Sequence, residues 1–432
     1  MKTTQSRTEM TIALLSLGFF ALGCKDEGTT PPPPIPERVK LTLIDVSVKE
    51  AFLHVAVTNA ASGETLAMQR DGATVMTFPA VADTNIVDTA LTQTTTCQYT
   101  ATLSSGASLT GTSNSISAQT LTPTSHNFTW QTFLLGDGNN SALYDVAIIG
   151  DSLAYAVGEI YLTGDPAAYN LVRWNGSAWE LLRIQSTGPC SGGVSYPPLR
   201  AVRVLSPSDV LMTDGGAVFQ YDGTNTMIDC RMNPLLSGEM NKIFAFRSND
   251  VVIVGDIGTI VNYDGRIWQR LESGTTTNIL DAWGVVNPVT GKEEVYCAAS
   301  SFFEPAAEKK ILRITGGTHV DSVGWINRLL TGVWTHAGYP IFTSGDGVFE
   351  NRTGQWREIP TGIYTNDVRG TGLNNIVAVG DFGFITHYNG IDWQTVATDN
   401  DAGYATVRLS GNLVFAVGRK NGRGLIAIGR RQ

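Results

Sequence analysis

Asp250 to Gln269 reads DVVIVGDIGTIVNYDGRIWQ, and Asn375 to Gln394 reads NIVAVGDFGFITHYNGIDWQ. The stretches align without a gap: the glycines, the Asp after the first glycine, the tyrosine and the tryptophan all fall in register. Each reads as an apolar strand, a Gly-Asp-x-Gly turn, a second strand ending in Tyr-Asp-Gly or Tyr-Asn-Gly, and a strand opened by Trp-Gln. The turn glycines are expected to supply positive φ. A short strand precedes such units, as in Leu199 to Val204 and Asn366 to Gly370. The result is a four-stranded antiparallel unit whose apolar face is too small to fold alone, so units must stack.

Five further units follow the pattern. One runs through AYAVGE to Trp174 and Trp179, and one is DVLMTDGGAVFQYDG, ending at Gly223. Another runs from Leu280 through VYCAAS to ILRITGG, with an insertion around Phe302 to Lys310. PIFTSGDGVFENRTGQW closes at Trp356, and NLVFAVGRKNGRGLIAIG stops without its Trp strand. Such a strand, Phe128-Thr129-Trp130-Gln131, stands before the first unit instead. A leading strand that completes the last unit fastens a ring and removes exposed sheet edges. The expectation is a β-propeller over residues 125–432, seven-bladed and closed by the strand around Trp130; the irregular fourth unit leaves six or eight blades open. The units resemble the propeller repeats of sialidase-like and photosystem II assembly-factor-like proteins. That resemblance implies a fold and a turn motif, not one activity.

Residues 38–124 alternate at period two, as in Leu41, Leu43 and Asp45 against Thr42, Ile44 and Val46. Arg70-Asp71-Gly72 reads as a hairpin turn. Asp88, Leu91 and Tyr99 resemble the pattern of a fibronectin type III domain, which implies a β-sandwich. Cys97 stands where that family's first tyrosine falls, so its tyrosine corner is expected to be missing. Fold class is therefore all-β, a fibronectin type III-like sandwich followed by a propeller. The 46 glycines and a charged fraction of 16% agree with it.

At the N-terminus, Lys2 and Arg7 precede the apolar run TIALLSLGFFAL, then Gly23 and Cys24. Residues 1–23 read as a signal peptide, too short for a membrane span. The cysteine resembles a lipobox cysteine, with Ala21 where that family usually has leucine. The resemblance implies lipidation of Cys24 and an anchor in the outer membrane. Lys25, Asp26 and Glu27 resemble a sorting tag for surface display; the periplasmic and outer faces both stay open. Residues 24–37, with GTTPPPPIPE, form a semi-rigid Pro-rich spacer.

Little in the chain asks for chemistry. The net charge of −9 and the lack of a basic cluster exclude nucleic acid. The five histidines show no metal-ligand spacing, and no metal or cofactor is expected. The turn acids Glu159, Asp214, Asp256, Asp346 and Asp381 could form a crown for a cation or sugar, but each is more simply a cap of its own turn. Glycosidase chemistry needs two carboxylates, and Glu304 has no evident partner. Sialidase chemistry needs an arginine trio, and Arg173, Arg203, Arg247 and Arg313 lie on separate units. No catalytic residue is assigned. Cys190 and Cys230 flank one unit and could form a disulfide. Cys97 and Cys297 read as small buried residues. Trp179, Trp268, Trp356 and Trp393 read as inter-blade packing. Trp283, Phe302, Phe303, Trp325 and Trp334 break the repeat and mark a possible ligand face. The leading expectation is a monomeric, non-enzymatic envelope lipoprotein that holds a protein partner on a propeller face. A carbohydrate-binding lipoprotein and, behind it, a sialidase-like hydrolase are the alternatives.

Overall fold

The structure, a computed structural model, describes residues 34–137, 140–187, 190 and 192–432. The signal segment, Cys24 and the Lys25-Asp26-Glu27 tag lie outside the described residues. Pro36–Gln432 forms one compact unit.

Its first part is a sheet of β1 (Glu37–Val46), β2 (Ala51–Val57), β3 (Glu64–Arg70), β4 (Ala73–Pro79), β5 (Asp83–Asp88), β6 (Thr96–Ser105), β7 (Ser108–Ser113) and β8 (Ile116–Gln119). The order is β4-β3-β6-β7-β1-β2-β5, with β8 also on β6 and the β1–β7 pair parallel. Both halves bury one core, from Leu41, Leu53 and Val55 to Leu66, Tyr99 and Leu103. The Asp71-Gly72 turn carries two positive φ values, 51° and 81°, which suit a tight hairpin. Tyr99 donates to Asp88 at 2.7 Å, and Arg70 holds the same carboxylate at 2.8 Å. The buried hydroxyl is thus tied to a side chain. Strict alternation fails in β1, where the register shifts between Leu43 and Asp45. Leu43 and Val46 therefore both pack into the sheet's own core, while Ile44 joins a different cluster.

The rest is seven four-stranded sheets. Their first strands are Ala142–Gly150, Ala201–Ser206, Met240–Arg247, Ile279–Val286, Leu330–Thr335, Thr365–Gly372 and Ala402–Ser410. These touch in cyclic order, the seventh against the first, so they line a central axis. The seventh sheet takes its fourth strand from β9 (Phe128–Leu135), which pairs along its length with Arg423–Arg431. The fold is a seven-bladed β-propeller. The outer tryptophans span blades: Trp179 of blade 1 meets Phe415 of blade 7 at 6.0 Å, and Trp268 of blade 3 donates to Asp229 of blade 2 at 3.0 Å.

The glycines that mark the repeat do two different jobs. Gly258 and Gly383 hold positive φ, 63° and 59°. Gly255 and Gly380 do not have positive φ. A Cβ on either would lie 2.2 Å from the carbonyl oxygen of Glu239 or Tyr364. A first strand bulged beside them brings that carbonyl in, so only glycine fits. The expectation that both turn glycines serve positive φ is corrected on this point. Gly255→Ala is expected to cost about 1–3 kcal/mol, because the obstacle is backbone and cannot rotate away. A denaturant midpoint unchanged in that variant would contradict the close approach.

The β1–β8 sheet packs on one face of the ring at blades 5 and 6. Ile44 and Phe52 share a cluster with Trp334, Phe342 and Leu373. Arg352 pairs with Glu50 at 2.5 Å, and His336 with Asp45 at 2.9 Å. Apolar packing and two ion pairs thus join the sheet to the ring. Beside it His387 is fully buried, with Nδ1 2.9 Å from His126 Nδ1 and Nε2 3.1 Å from Asn375. Burial, then His126 and Arg431, push the His387 pKa down to about 3. A depressed histidine stays neutral in the folded chain while the unfolded chain takes up its proton near pH 6.5. Its contribution is complete above that value and declines as pH falls toward 3, about 2 kcal/mol being lost by pH 5. His336, raised by Asp45, works in the opposite direction: its contribution is present at low pH and lost as pH rises. The difference between wild type and His387→Gln therefore isolates the first effect. Urea midpoints at pH 7.5 and 5 should show a steeper acid loss in wild type; equal slopes would refute it.

Candidate binding surface

Six of the seven first strands carry a bulge at the same place, after Leu143, Met240, Ile279, Leu330, Thr365 and Tyr404. A bulge adds one unpaired residue and re-aims its neighbours. Five of the extra residues, Tyr144, Leu280, Thr331, Asn366 and Ala405, line one cavity of about 1010 Å³ at the axis. It opens on the face away from the β1–β8 sheet.

The next residue on each strand points inward. There stand Asp145, Lys242, Asp281, Asp367 and Thr406, with Ala201 and Gly332 in the remaining blades. Each Asp accepts the backbone N–H of the following blade: Val202 to Asp145 at 3.1 Å, Val333 to Asp281 at 3.0 Å, Val407 to Asp367 at 3.0 Å. Two residues further along stand Arg203, Arg369 and Arg408 with Phe244, Trp283 and Trp334. Lys242 reaches Asp145 at 2.9 Å; Arg369 reaches Asp281 at 2.6 Å and Asp367 at 2.7 Å. Burial alone would raise the Asp145 and Asp367 pKa, but these cations hold both below the ordinary carboxylate value. The axis is thus closed by a buried ion network.

Around the open cavity, the turns expose apolar side chains. Tyr144, Phe302 and Phe382 line it, and Phe303 is 96% exposed. Ile257 occupies in blade 3 the place of Phe382 in blade 6, and is exposed too. The turn acids do not converge on a cation. Asp214 caps its own turn through Gly216 and Ala217 at 2.9 and 2.7 Å. Asp256 and Asp381 instead accept from Asn241 and Asn366. Glu159 is held by the hydroxyls of Tyr144 and Tyr161, and Asp346 by Arg328. The own-turn cap is therefore corrected for all but Asp214. Among the described residues no group of three acids, histidines or cysteines forms a metal site.

The five aromatics singled out as a ligand face do not share one. Phe302 and Phe303 sit on the open rim. Trp334 is 1% exposed, because it packs on Phe342 under the β1–β8 sheet. Trp283 lies along the axis under Arg369, and Trp325 packs edge-on against Trp356 at 4.7 Å. The four arginines also stay apart: Arg173 pairs with Glu180, Arg247 with Glu293 and Asp250, Arg313 with Asp321, and Arg203 lies in the channel. Cys190 and Cys230 are joined as a disulfide, Cα–Cα 5.7 Å, while Cys97 and Cys297 are buried free thiols. Burial raises the pKa of both thiols, which keeps them inert. The axial ion network was missed in the sequence. Aligning the first strands would have exposed it, since Asp145-Val146, Asp281-Ala282 and Asp367-Val368 recur there.

A second cleft, of about 1320 Å³, lies between the β1–β8 sheet and blades 3 to 5. Its walls mix apolar with polar and charged side chains, with His54, Arg247, Asp250, Glu293 and Arg313 among the latter. The side-chain oxygen of Asn262, on that wall, is buried with no hydrogen-bond partner.

No family model matches this chain. No curated protein matches it either. Among solved structures, the chain is similar to YCF48 bound to D1 peptide, at 15% identity and TM-score 0.51, over 70% of this chain and 97% of that one. It is also similar to YCF48 from Cyanidioschyzon merolae, at 13% identity and TM-score 0.52, over 70% of this chain and 98% of that one. What these chains share is the fold.

Proposed function

We propose that this chain is a non-catalytic lipoprotein of the cell envelope that holds a protein partner on the open face of its propeller. The observation that carries the reading is the apolar lining of Tyr144, Phe302 and Phe382 around the open cavity, with Phe303 exposed next to Phe302 in the chain. Exposed aromatics clustered at a concave site are what protein interfaces use as anchors. The opposite face is partly taken by the β1–β8 sheet, which we read as a fibronectin type III-like sandwich on the strand order described. A neighbour of the same fold is known with a peptide bound. The anchor is proposed to be a lipid on Cys24, in the outer membrane, with the Pro-rich segment as spacer.

Two experiments test this. Cross-linked native cells carrying a tag in the spacer should yield one stoichiometric envelope protein. Phe302→Ser, Phe303→Ser and Phe382→Ser combined should reduce its recovery at least about 30-fold, since anchors of this kind are each worth about 2 kcal/mol. Recovery unchanged by the triple variant would refute the open face as the site. Labelling with palmitate, lost in Cys24→Ser, tests the anchor.

The second reading, a glycan ligand, is favoured by one observation: the unpartnered Asn262 oxygen on the wall of the large cleft, among its charged side chains. It predicts saturable glycan binding that Asn262→Leu abolishes and the rim variant leaves intact.

A further inference from the structure

The charges along the axis do not balance. Three carboxylates, Asp145, Asp281 and Asp367, face four cations, Lys242, Arg203, Arg369 and Arg408. The carboxylates are all engaged: Lys242 and Arg408 take Asp145 at 2.9 and 3.1 Å, Arg369 takes Asp281 at 2.6 Å, and Arg369 and Arg408 share Asp367. Arg203 is the cation left over. Its Nε donates to the Ala245 carbonyl at 3.1 Å, and its guanidinium lies 4.3 Å over the Phe244 ring. Among the described residues no carboxylate lies within ion-pair distance of it. Burial, then Arg408, push its pKa down to about 10, and Asp145 offsets this only in part.

Arg203 faces two hollows. One, of about 130 Å³, is lined by Arg203, Lys242 and Arg408 with apolar walls and no acid. The other, of about 290 Å³, opens at the channel mouth on the side of the β1–β8 sheet, between Phe246, Trp283 and Trp334. Arginine does not discharge itself by losing a proton in proteins. A half-buried cation without a counter-charge is costly, and an anion placed beside it removes that cost. Space of 130 Å³ is several times the ~30 Å³ of a water, enough for a carboxylate of acetate size. The aromatic mouth suits an apolar stem behind the charged group.

We propose that this channel mouth binds a carboxylate, held by Arg203 with Lys242 and Arg408 behind it and its apolar stem against Trp283. The site lies at the opposite end of the axis from the open rim, so it stands independently of the protein-partner reading. A free small carboxylate and the C-terminal carboxylate of a peptide share this chemistry.

The test is a titration of the mature chain at constant ionic strength, followed by tryptophan emission, since Trp283 lies on the wall. The probes are sodium acetate, a short peptide with a free C-terminal carboxylate, and the same peptide amidated. Saturable responses to the acids and none to the amide are expected. Arg203→Gln should weaken acid binding at least tenfold. Peptide acid tighter than acetate by tenfold or more assigns a peptide terminus; equal affinities assign a small carboxylate. No saturable response in wild type, an equal response to the amide, or unchanged binding in a folded Arg203→Gln overturns the proposal. Should that variant not fold, the acid-against-amide comparison in wild type decides by itself.

Discussion

Asp367→Ala is expected to lower the stability of the chain by about 3–5 kcal/mol, because it leaves buried cations without their counter-charge. Asp367 is 4% exposed and accepts from Thr406 at 2.6 Å, from the Val407 amide at 3.0 Å, and from Arg369 and Arg408. Its removal costs more than one ion pair. The Val407 amide, with Thr406 and Arg408, ties blade 7 to blade 6 through this carboxylate, and blade 7 is where the ring is closed by β9. Denaturant midpoints of wild type and variant measure the loss. Adding Arg408→Met to Asp367→Ala should restore part of it, since an apolar replacement of both partners avoids the stranded charge. A loss below about 1 kcal/mol would show the axial network to be incidental to stability.

Removal of the disulfide, by Cys190→Ser with Cys230→Ser, is expected to cost about 2–4 kcal/mol. The bridge closes a loop with a sequence separation of 40, and loops of that length restrict the unfolded chain by about that much. It ties the segment between blades 1 and 2 to the end of blade 2, where both sulfurs pack into the cluster around Val210 and Phe219. Reductant should lower the melting temperature of wild type toward that of the variant and leave the variant unmoved. In the denatured, unreduced chain Cys97 and Cys297 should react with a thiol reagent while Cys190 and Cys230 do not. Reactivity of all four would refute the bridge.

Much of the architecture was legible because its signals are local and repeated. Gly255 and Gly380, Tyr263 and Tyr388, and Trp268 and Trp393 fall at one spacing, and a repeat that cannot bury its own apolar face has to stack. The displaced strand around Trp130 could be matched to a unit that lacked one. Site residues were less legible. Trp283 and Trp334 break the repeat, but breaking a repeat does not say whether a side chain faces solvent or core. Phe303 and Trp334 look alike in the chain and differ from 96% to 1% exposure.

By itself, then, the sequence determined the all-β class, the repeating unit and the strand that fastens its ends. These follow from period-two patterning and turn chemistry, which act over a few residues. Only the tertiary structure decided the rest. It set Asp145, Asp281 and Asp367 around one axis, left Arg203 there without a carboxylate, and paired His387 with His126 from far along the chain. It also placed the β1–β8 sheet on one face of the ring and left the aromatic rim open on the other. Those arrangements depend on which residues of distant blades meet at a ring's centre and edges, and bulges that shift each first strand by one residue decide where its side chains point.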